Sequence, residues 1–597
     1  MNKRAIVSLA MVPFIGLIMG LGQGSLSASS VGSAWSYPAS TPVGPNTPDI
    51  SDSTIASQSP SVAMSGGNAV AVWVGDAYGT PVIQSASSVD GGVSWSTPTS
   101  TPQGADTPDL SAGGAADVAP QVAMSGDTAV AVWALTTGGF DVVQTAHSSD
   151  GGVTWSDPTS TPTASTPNLS DPAANAYAPQ ISVSGQNAVA AWLLDMGGLD
   201  IVQVAYSIDG GATWSDPTST PGRAIPAISA DNENALSPAI AMSGSAVVAT
   251  WYSDTTGLVS VARSADAGAT WTYPTGVPSG AVAPALSAAG EDAALGRVSI
   301  SGSTAVVVWK RSNGTNYVIQ TAFSTDSGDT WNNPTSTPIG SGTPDLSAAG
   351  EDANDISISM DGDTVVALWT RSNGVVDVTQ TVRSANGGIT WTSPTSTPQG
   401  ADTANLSDPV QVTIKPRVAV SGANATAVWQ AVDPLSVGGF PRFFVQSANS
   451  NDGGETWSSP VSAPTGSSPN ISASGASGFD APSLAASGSR AVVLWTFVNI
   501  PSVTIQAAYS VAPARVSGAA PYIPLQAFPT PTRFTAQECA DYAVANSATL
   551  ELDWDSLAGR SAEGWSPSYA EFPNNNSGGW VCTRQPAYSD TGGIIFR

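Results

Sequence analysis

Apolar and polar residues alternate in short runs that recur along most of the chain. Each run follows a Ser-Gly turn and ends in tryptophan, as in Ser65–Trp73, with Asp361 replacing the serine in the sixth run. Such alternation is typical of a half-buried β-strand, and the turn before it predicts a hairpin. The eight hairpin tryptophans are Trp73, Trp133, Trp192, Trp251, Trp309, Trp369, Trp429 and Trp495.

A second pattern, S-x-D-x-G-x-[ST]-W, follows each of the first seven hairpin tryptophans, and we call each copy a box. A short carboxylate accepts N–H groups in a turn, glycine adopts positive φ, and tryptophan supplies a large buried surface. The boxes are therefore interpreted as structural elements. Their acid positions are Asp90, Asp150, Asp209, Asp266, Asp326, Asn386 and Asp452. Their tryptophans are Trp95, Trp155, Trp214, Trp271, Trp331, Trp391 and Trp457.

The eighth counterpart of the boxes lies near the start of the chain, where Ala34–Pro42 matches the residues after each box. With a third strand that carries a recurring glutamine, such as Gln84, each repeat predicts four short antiparallel strands. Such units in radial array form a β-propeller. The sequence therefore predicts an all-β, eight-bladed propeller of four-stranded blades over residues 31–511. We expect the Trp35 strand to close it by pairing with Val503–Ser510; the alternative is seven blades, with the N-terminal strand outside the ring.

The repeat resembles the Asp-box, or BNR-repeat, propellers, a group that includes the sialidases, from Ala34 to about Ser510. The resemblance implies that the box acid caps the turn between the third and fourth strands and that the box tryptophan packs between blades. Both would lie on the face opposite the ligand site. For a sialidase the resemblance also implies three arginines that bind the substrate's carboxylate, an aspartate acid/base, a Tyr–Glu nucleophile pair and an Arg-Ile-Pro signature. Because one fold hosts many chemistries, the function stays open.

The charge composition excludes several classes of partner. The 597 residues include 18 Lys and Arg against 45 Asp and Glu, for a formal net charge of −27. Nucleic acid and anionic membranes are bound through basic side chains, so neither is expected as a partner. One histidine, His147, and two cysteines are too few for a transition-metal site, and nothing else supports a Ser-His-Asp triad. Loop carboxylates such as Glu291-Asp292 and Glu351-Asp352 could bind Ca²⁺ or could only solvate a lysine-poor protein.

The two ends of the chain depart from the repeat. Residues 1–30 have a basic start and an apolar run and are interpreted as a signal peptide, with an uncleaved membrane anchor as the alternative. The protein is therefore expected to be secreted or at the cell surface, without further membrane insertion. Residues 512–533, rich in Pro, Ala and Gly, predict a linker. Residues 534–597 predict a small module with a Cys539–Cys582 disulfide, which is either a cap or a carbohydrate- or wall-binding module.

Candidate ligand-binding residues emerge from counting back four residues from each hairpin turn. This slot starts the innermost strand on the ligand face of a propeller blade. Its eight occupants are Ser61, Gln121, Gln180, Ala239, Arg297, Ser357, Arg417 and Ser483. Arg297 and Arg417 are therefore expected to face one bowl. Arg311 and Arg371, which follow the second strands of two blades, are expected on the same side.

The distribution of arginine bears on catalysis. The first three blades contribute no arginine, and the Arg-Ile-Pro signature is missing. The sequence therefore favours a monomeric scaffold that binds a glycan or an extracellular protein without catalysis. The alternative is an exo-α-sialidase, whereas a polysaccharide lyase or another hydrolase has no specific support. In the sialidase alternative, the carboxylate clamp and the acid/base would come from Arg297, Arg417, Arg311 or Arg371, and Asp292 or Asp355.

Overall fold

The computed structural model describes residues 34–76, 79–114, 119–221, 226–372, 374, 376–434, 441–477 and 480–511, and the backbone of three strands between 568 and 596. The chain divides into two units, 1–514 and 515–597. The predicted signal peptide, the linker and the Cys539–Cys582 disulfide lie outside the described residues, except that the backbone of Cys582 belongs to a strand. A search of the described residues finds no helix with the length and hydropathy that a bilayer span requires.

The described part of the first unit contains no helix and folds into eight antiparallel sheets, numbered here in chain order. The strands of the first four sheets are Ala56–Ser65, Asn68–Asp76 and Pro81–Ser88; Gln121–Ser125, Thr128–Thr137 and Phe140–Ser148; Ala176–Ser184, Asn187–Asp195 and Asp200–Ser207; and Ala235–Ser243, Ala246–Ser253 and Leu258–Ser264. Those of the last four are Ala293–Ser301, Thr304–Ser312 and Tyr317–Ser324; Asp352–Asp361, Thr364–Ser372 and Asp377–Ser384; Thr413–Ser421, Asn424–Val432 and Phe443–Ser450; and Ser483–Ser487, Arg490–Asn499 and Ser502–Val511, which also pairs with Ala34–Ser36.

Shorter strands complete the inventory. Two-stranded ribbons are formed by Ser40–Thr41 with Gly44–Pro45, Ser100–Thr101 with Gly104–Ala105, Ser336–Thr337 with Gly340–Ser341, and Ser396–Thr397 with Gly400–Ala401. In the second unit, Gly579–Arg584 pairs antiparallel with Ser568–Ala570 and parallel with Ile594–Phe596.

The prediction of four full strands in every sheet is wrong for the first seven sheets. There the fourth strand is a single antiparallel bridge beside the box tryptophan, as between Ser87 and Ser96. In these sheets the residues before the tryptophan belong to the box turn, as Ser94 does, so they do not extend the ladder. Among the described sheets of the first unit, the eighth alone has four strands: no box precedes Trp35, and Ala34 pairs with Val511 even though Pro38 follows Trp35 at the same spacing as Pro98 follows Trp95. There Trp35 lies opposite Ser510, in the pairing that the sequence predicts.

A closed series of hydrogen bonds joins the eight hairpin turns. In each, the glycine N–H of one turn donates to the side chain of the preceding turn's serine, at 2.7–3.0 Å. The pairs are Gly126–Ser65, Gly185–Ser125, Gly244–Ser184, Gly302–Ser243, Gly362–Ser301, Gly422–Asp361, Gly488–Ser421 and Gly66–Ser487. The last pair returns from the eighth sheet to the first. The carboxylate of Asp361 accepts in place of a serine, which accounts for the one departure from the Ser-Gly pattern.

In six of the eight sheets the recurring glutamine accepts a hydrogen bond from the hairpin tryptophan. In the first sheet, Trp73 Nε1 donates to Gln84 Oε1 at 3.0 Å, and Gln84 Nε2 donates to Asp109 Oδ1 at 2.8 Å. In the fourth sheet Glu233 accepts from Trp251 instead. These contacts satisfy indole N–H groups that burial would otherwise leave unpaired.

The boxes are hydrogen-bonded turns at the hairpin-turn end of the sheets. In the first box, Asp90 Oδ1 accepts from the Ser94 N–H and from Ser88 Oγ, both at 2.8 Å, and Asp90 Oδ2 accepts from Ser94 Oγ at 2.6 Å. Gly91 N–H donates to Gly67 O of the hairpin turn at 2.7 Å. In the sixth box, Asn386 Oδ1 accepts in the same way. Burial raises the pKa of the box acids, but their hydrogen bonds together outweigh it and lower the pKa of Asp90, Asp150, Asp209, Asp266 and Asp326.

Candidate functional site

A β-bulge lies near the start of the first strand in six of the eight sheets. In the fifth sheet, for example, the strand register shifts between Ala294 and Arg297. The first bulged residue has a φ of 51–56°, although none is glycine: Ser59, Ala178, Ser237, Leu295, Asp355 and Lys415. Bulges re-aim side chains, and strained φ values of this kind concentrate at functional sites. The bulges lie at the end of the sheets opposite the boxes and the hairpin turns.

A cavity of about 430 Å³ opens among these bulges. Its walls come from the second, fifth, sixth, seventh and eighth sheets. The lining residues are Ala119, Leu295, Arg297, Asp355, Ile356, Lys415, Arg417, Asp480 and Ala481. Five separate sheets therefore converge on one volume, as expected where the first strands of all sheets surround a common axis. Arg297 and Arg417, which the sequence assigns to one bowl, both line it.

The two lining arginines have no carboxylate partner in the described part of the chain. Arg297 Nη1 donates to Gly296 O at 3.1 Å, and Arg417 Nη1 donates to Pro416 O at 2.9 Å. No ion pair within 4.0 Å involves either side chain among the described residues. Burial lowers the pKa of Arg297. Burial, and then the like charge of Arg297, lowers the pKa of Arg417 to about 10 against the opposing effect of Asp355. The two arginines thus bring two like charges to one cavity.

Two carboxylates and a lysine line the same cavity beside the arginines. Asp480 accepts from the Ser59 N–H and Ser59 Oγ, both at 3.2 Å, and from Thr496 Oγ1 at 2.7 Å. Asp355 Oδ2 accepts from the Lys415 N–H at 3.2 Å. Burial lowers the pKa of Lys415, opposed by the charges of both aspartates and reinforced by the nearby arginine. The cavity therefore offers acceptors as well as cations.

The other predicted clamp residues are neutralised outside the cavity lining. Arg311 pairs with Glu291 at 3.1 Å and with Asp345 at 3.6 Å, and Arg371 pairs with Glu351. Asp292, the other acid/base candidate, is exposed and does not line the cavity. Of the six candidate residues, the structure brings together Arg297, Arg417 and Asp355. Sequence reasoning missed Lys415 and Asp480, although Lys415 could have been found by counting six residues back from the hairpin turn.

Two tyrosines at the bulged ends of their sheets, Tyr252 and Tyr317, make other contacts. Tyr252 Oη donates to Asp254 Oδ1 at 3.5 Å, and the Lys310 ammonium lies 4.4 Å from the centre of the Tyr317 ring. Neither tyrosine lines the cavity. His147 lies beside a box at the opposite end of its sheet, where burial lowers its pKa against the opposing charge of Asp209.

Two of the four loop acids considered for Ca²⁺ take part in ion pairs. Glu291 and Glu351 are the partners of Arg311 and Arg371. Within the described ranges, no group of three or more His, Cys, Asp or Glu side chains is arranged to hold a metal ion.

Comparison with known proteins adds similarities of fold. No family model and no curated protein matches the sequence. A polysaccharide lyase described as an ulvan lyase, bound to a GlcA–Rha3S ligand, gives a TM-score of 0.37 at 11% identity over 80% of this chain and 94% of that one. An α-L-arabinofuranosidase from Fusarium graminearum gives 0.32 at 10% over 80% and 97%. A Trypanosoma rangeli sialidase gives 0.29 at 10% over 64% and 53%. The interpretation of the site therefore rests on its own residues.

Proposed function

We propose that this chain is an exported, closed eight-bladed β-propeller whose axial cavity binds an acidic glycan without hydrolysing it. The observation that carries the proposal is the pair of like charges, Arg297 and Arg417, which line one cavity without a carboxylate partner among the described residues. Two neighbouring guanidinium groups repel each other, and a bound anion relieves that repulsion. Guanidinium groups also match carboxylate and sulfate oxygens through paired hydrogen bonds.

An axial site follows from the proposed ring. The turn-to-turn hydrogen bonds that return from Ser487 to Gly66 support a closed succession of eight sheets. In a ring of this kind the first strand of each sheet is innermost, and the bulged ends of these strands surround the axis. The axial position favours a terminal or protruding sugar of an extracellular glycan, and a protein ligand carrying an acidic side chain is the alternative occupant.

Hydrolysis of a sialoside is the second candidate function. It is favoured by the presence of Asp355 in the cavity beside both arginines, where a carboxylic acid could protonate a leaving group. Binding alone is favoured because Arg311 and Arg371, the remaining clamp candidates, are already paired with acids. The contacts of Tyr252 also point away from a nucleophile role in this cavity.

A glycan array of acidic and neutral sugars, run beside a fluorogenic sialoside assay, tests the proposal. We expect binding to acidic glycans and no turnover. Arg297→Ala and Arg417→Ala should each weaken binding by about tenfold or more, because hydrogen bonds to charged groups contribute ~1.5–3 kcal/mol. Arg383→Ala is the matched control, since Arg383 pairs with Glu455 at the box end.

The possible outcomes separate the two functions. Sialoside turnover that is lost in Arg297→Ala or Arg417→Ala, but kept in Arg383→Ala, would replace binding by catalysis. Equal binding of acidic glycans by the unmodified protein and the three arginine variants would refute the proposal that the cavity is the binding site.

A further inference from the structure

The eight residues four positions before the hairpin turns fall into three groups. Three are serines that join neighbouring sheets: Val122 N–H donates to Ser61 Oγ at 3.3 Å, and equivalent bonds reach Ser357 and Ser483 at 3.1 and 2.9 Å. Ala239 has no polar side-chain atom. The four that remain carry long polar side chains: Gln121, Gln180, Arg297 and Arg417.

These four side chains make the same contact. Each donates a hydrogen bond to the carbonyl of the residue before it: Gln121 Nε2 to Pro120 O at 3.0 Å, Gln180 Nε2 to Pro179 O at 2.9 Å, Arg297 Nη1 to Gly296 O at 3.1 Å, and Arg417 Nη1 to Pro416 O at 2.9 Å. Their strand positions are equivalent too, since each lies opposite the residue before a hairpin tryptophan. The two glutamines therefore stand in their sheets as the two arginines stand in theirs.

The shared contact leaves donors unused. A primary amide has two N–H groups and a guanidinium has five, and each of these side chains donates one of them to the preceding carbonyl. The amide oxygens of Gln121 and Gln180 accept no hydrogen bond among the described residues. Neither glutamine is among the residues that line the cavity, although Ala119, two residues before Gln121, is. The glutamines thus offer neutral donors and acceptors at strand positions equivalent to those where the arginines offer charged donors.

We propose that Gln121 and Gln180 complete, with Arg297 and Arg417, a ring of donors around the axis that holds a singly charged acid group of the ligand. This inference rests on the proposed function. In a closed ring of eight, the third and seventh sheets face each other, so Gln180 stands opposite Arg417. The acid group is a carboxylate or a sulfate ester, held by the arginines on one side and by amide N–H groups on the other.

The formal charge of the cavity lining favours a ligand that carries one negative charge. Its lining carries three cations, Arg297, Lys415 and Arg417, and two carboxylates, Asp355 and Asp480. The formal sum is one positive charge, which a carboxylate or a sulfate ester neutralises. A phosphate monoester is close to doubly charged at neutral pH and would leave an excess negative charge beside two aspartates. Neutral amides at the glutamine positions can donate hydrogen bonds to the oxygen atoms of the acid group without raising the positive charge of the ring.

Isothermal titration calorimetry at pH 7.5 with D-glucuronate, glucose 6-sulfate and glucose 6-phosphate tests the inference. We expect the first two sugars to bind more tightly than the third. Gln121→Ala and Gln180→Ala should each weaken glucuronate binding about fivefold, as the loss of one neutral hydrogen bond implies. Gln186→Ala is the matched control, because Gln186 lies in the hairpin turn at the other end of the third sheet and contacts Thr128.

A charge-adding variant gives a readout that a structural role would not change. Gln180→Arg raises the positive charge of the ring and should shift the preference towards glucose 6-phosphate. Glucuronate binding that is weakened by Arg297→Ala and Arg417→Ala but unchanged in both glutamine→alanine variants would overturn this inference and leave the proposed function standing. Glucuronate binding that no variant changes would overturn both. Tighter binding of glucose 6-phosphate by the unmodified protein would overturn the singly charged ligand.

Discussion

The stability of the first unit should depend on the N-terminal strand as strongly as on an internal repeat. Trp35 is 2% exposed and packs in a cluster with Val428, Phe443 and Trp495. Its buried Nε1 has no hydrogen-bond partner among the described residues, so Trp35→Ala removes packing alone. Replacing a buried tryptophan by alanine costs ~3–5 kcal/mol. We expect a loss in that range in the free energy of unfolding, measured by urea titration with far-ultraviolet circular dichroism.

The matched control for this prediction is Trp391→Ala. Trp391 is 1% exposed, belongs to the sixth box, and donates from Nε1 to Gly388 O at 3.0 Å. Both variants should lose comparable stability, but only Trp35→Ala should speed hydrogen exchange along Ser502–Val511, because that strand loses its outer partner. A loss below about 1 kcal/mol, against the ~3–5 expected, together with unchanged exchange in Ser502–Val511, would refute the view that the N-terminal strand closes the ring.

Three further predictions concern the turns. Asn386 Oδ1 accepts from the Thr390 N–H, and Asn386 Nδ2 donates to Thr390 Oγ1. Asn386→Asp should stabilise the protein at pH 7 by ~0.5 kcal/mol in urea titration, because an ionised carboxylate would accept from both the N–H and the hydroxyl of Thr390; a loss of stability would contradict this. Because the pKa of the box aspartates is lowered, their stabilisation of the fold is present above about pH 4 and lost as the pH falls through the lowered pKa. Asp326→Asn should therefore reduce the loss of stability at acid pH in a pH–stability curve. An unchanged curve at acid pH would refute the stabilising role of Asp326. Ser487→Ala should cost ~0.5–1.5 kcal/mol by breaking the bond from Gly66, whereas Ser245→Ala, outside the ring of bonds, should cost less.

The repeat made much of the fold predictable from sequence. The hairpin turn fixes strand register, so counting back from Ser301 and Ser421 places Arg297 and Arg417 at equivalent positions. The fourth strands were overpredicted because the box turn takes up the residues before its tryptophan, which leaves a single bridge after it. The sequence shows the box, but it does not show how few residues remain to pair.

The residues missed by sequence analysis depend on features without a hydrophobic signature. Lys415 reaches the cavity because a bulge adds a residue with positive φ, and a bulge leaves no trace in an apolar pattern. Arg311 was expected at the site because the sequence placed it after the second strand, but that strand extends to Ser312, and Glu291 and Asp345 pair with the arginine. Whether an arginine is paired depends on contacts between successive sheets. Counting positions within one repeat gives no information on those contacts.

The pairing of the N-terminal segment with the eighth sheet sets a delay on assembly during synthesis. Asp49 Oδ1 accepts from Gln506 Nε2, and the two residues are 457 positions apart. At about 5–20 residues per second, the ribosome needs roughly 20–90 s to make the partner after the first residue has been added. The pairing that completes the eighth sheet cannot form before that time. Translation therefore sets the earliest moment at which the two ends of the repeat can meet.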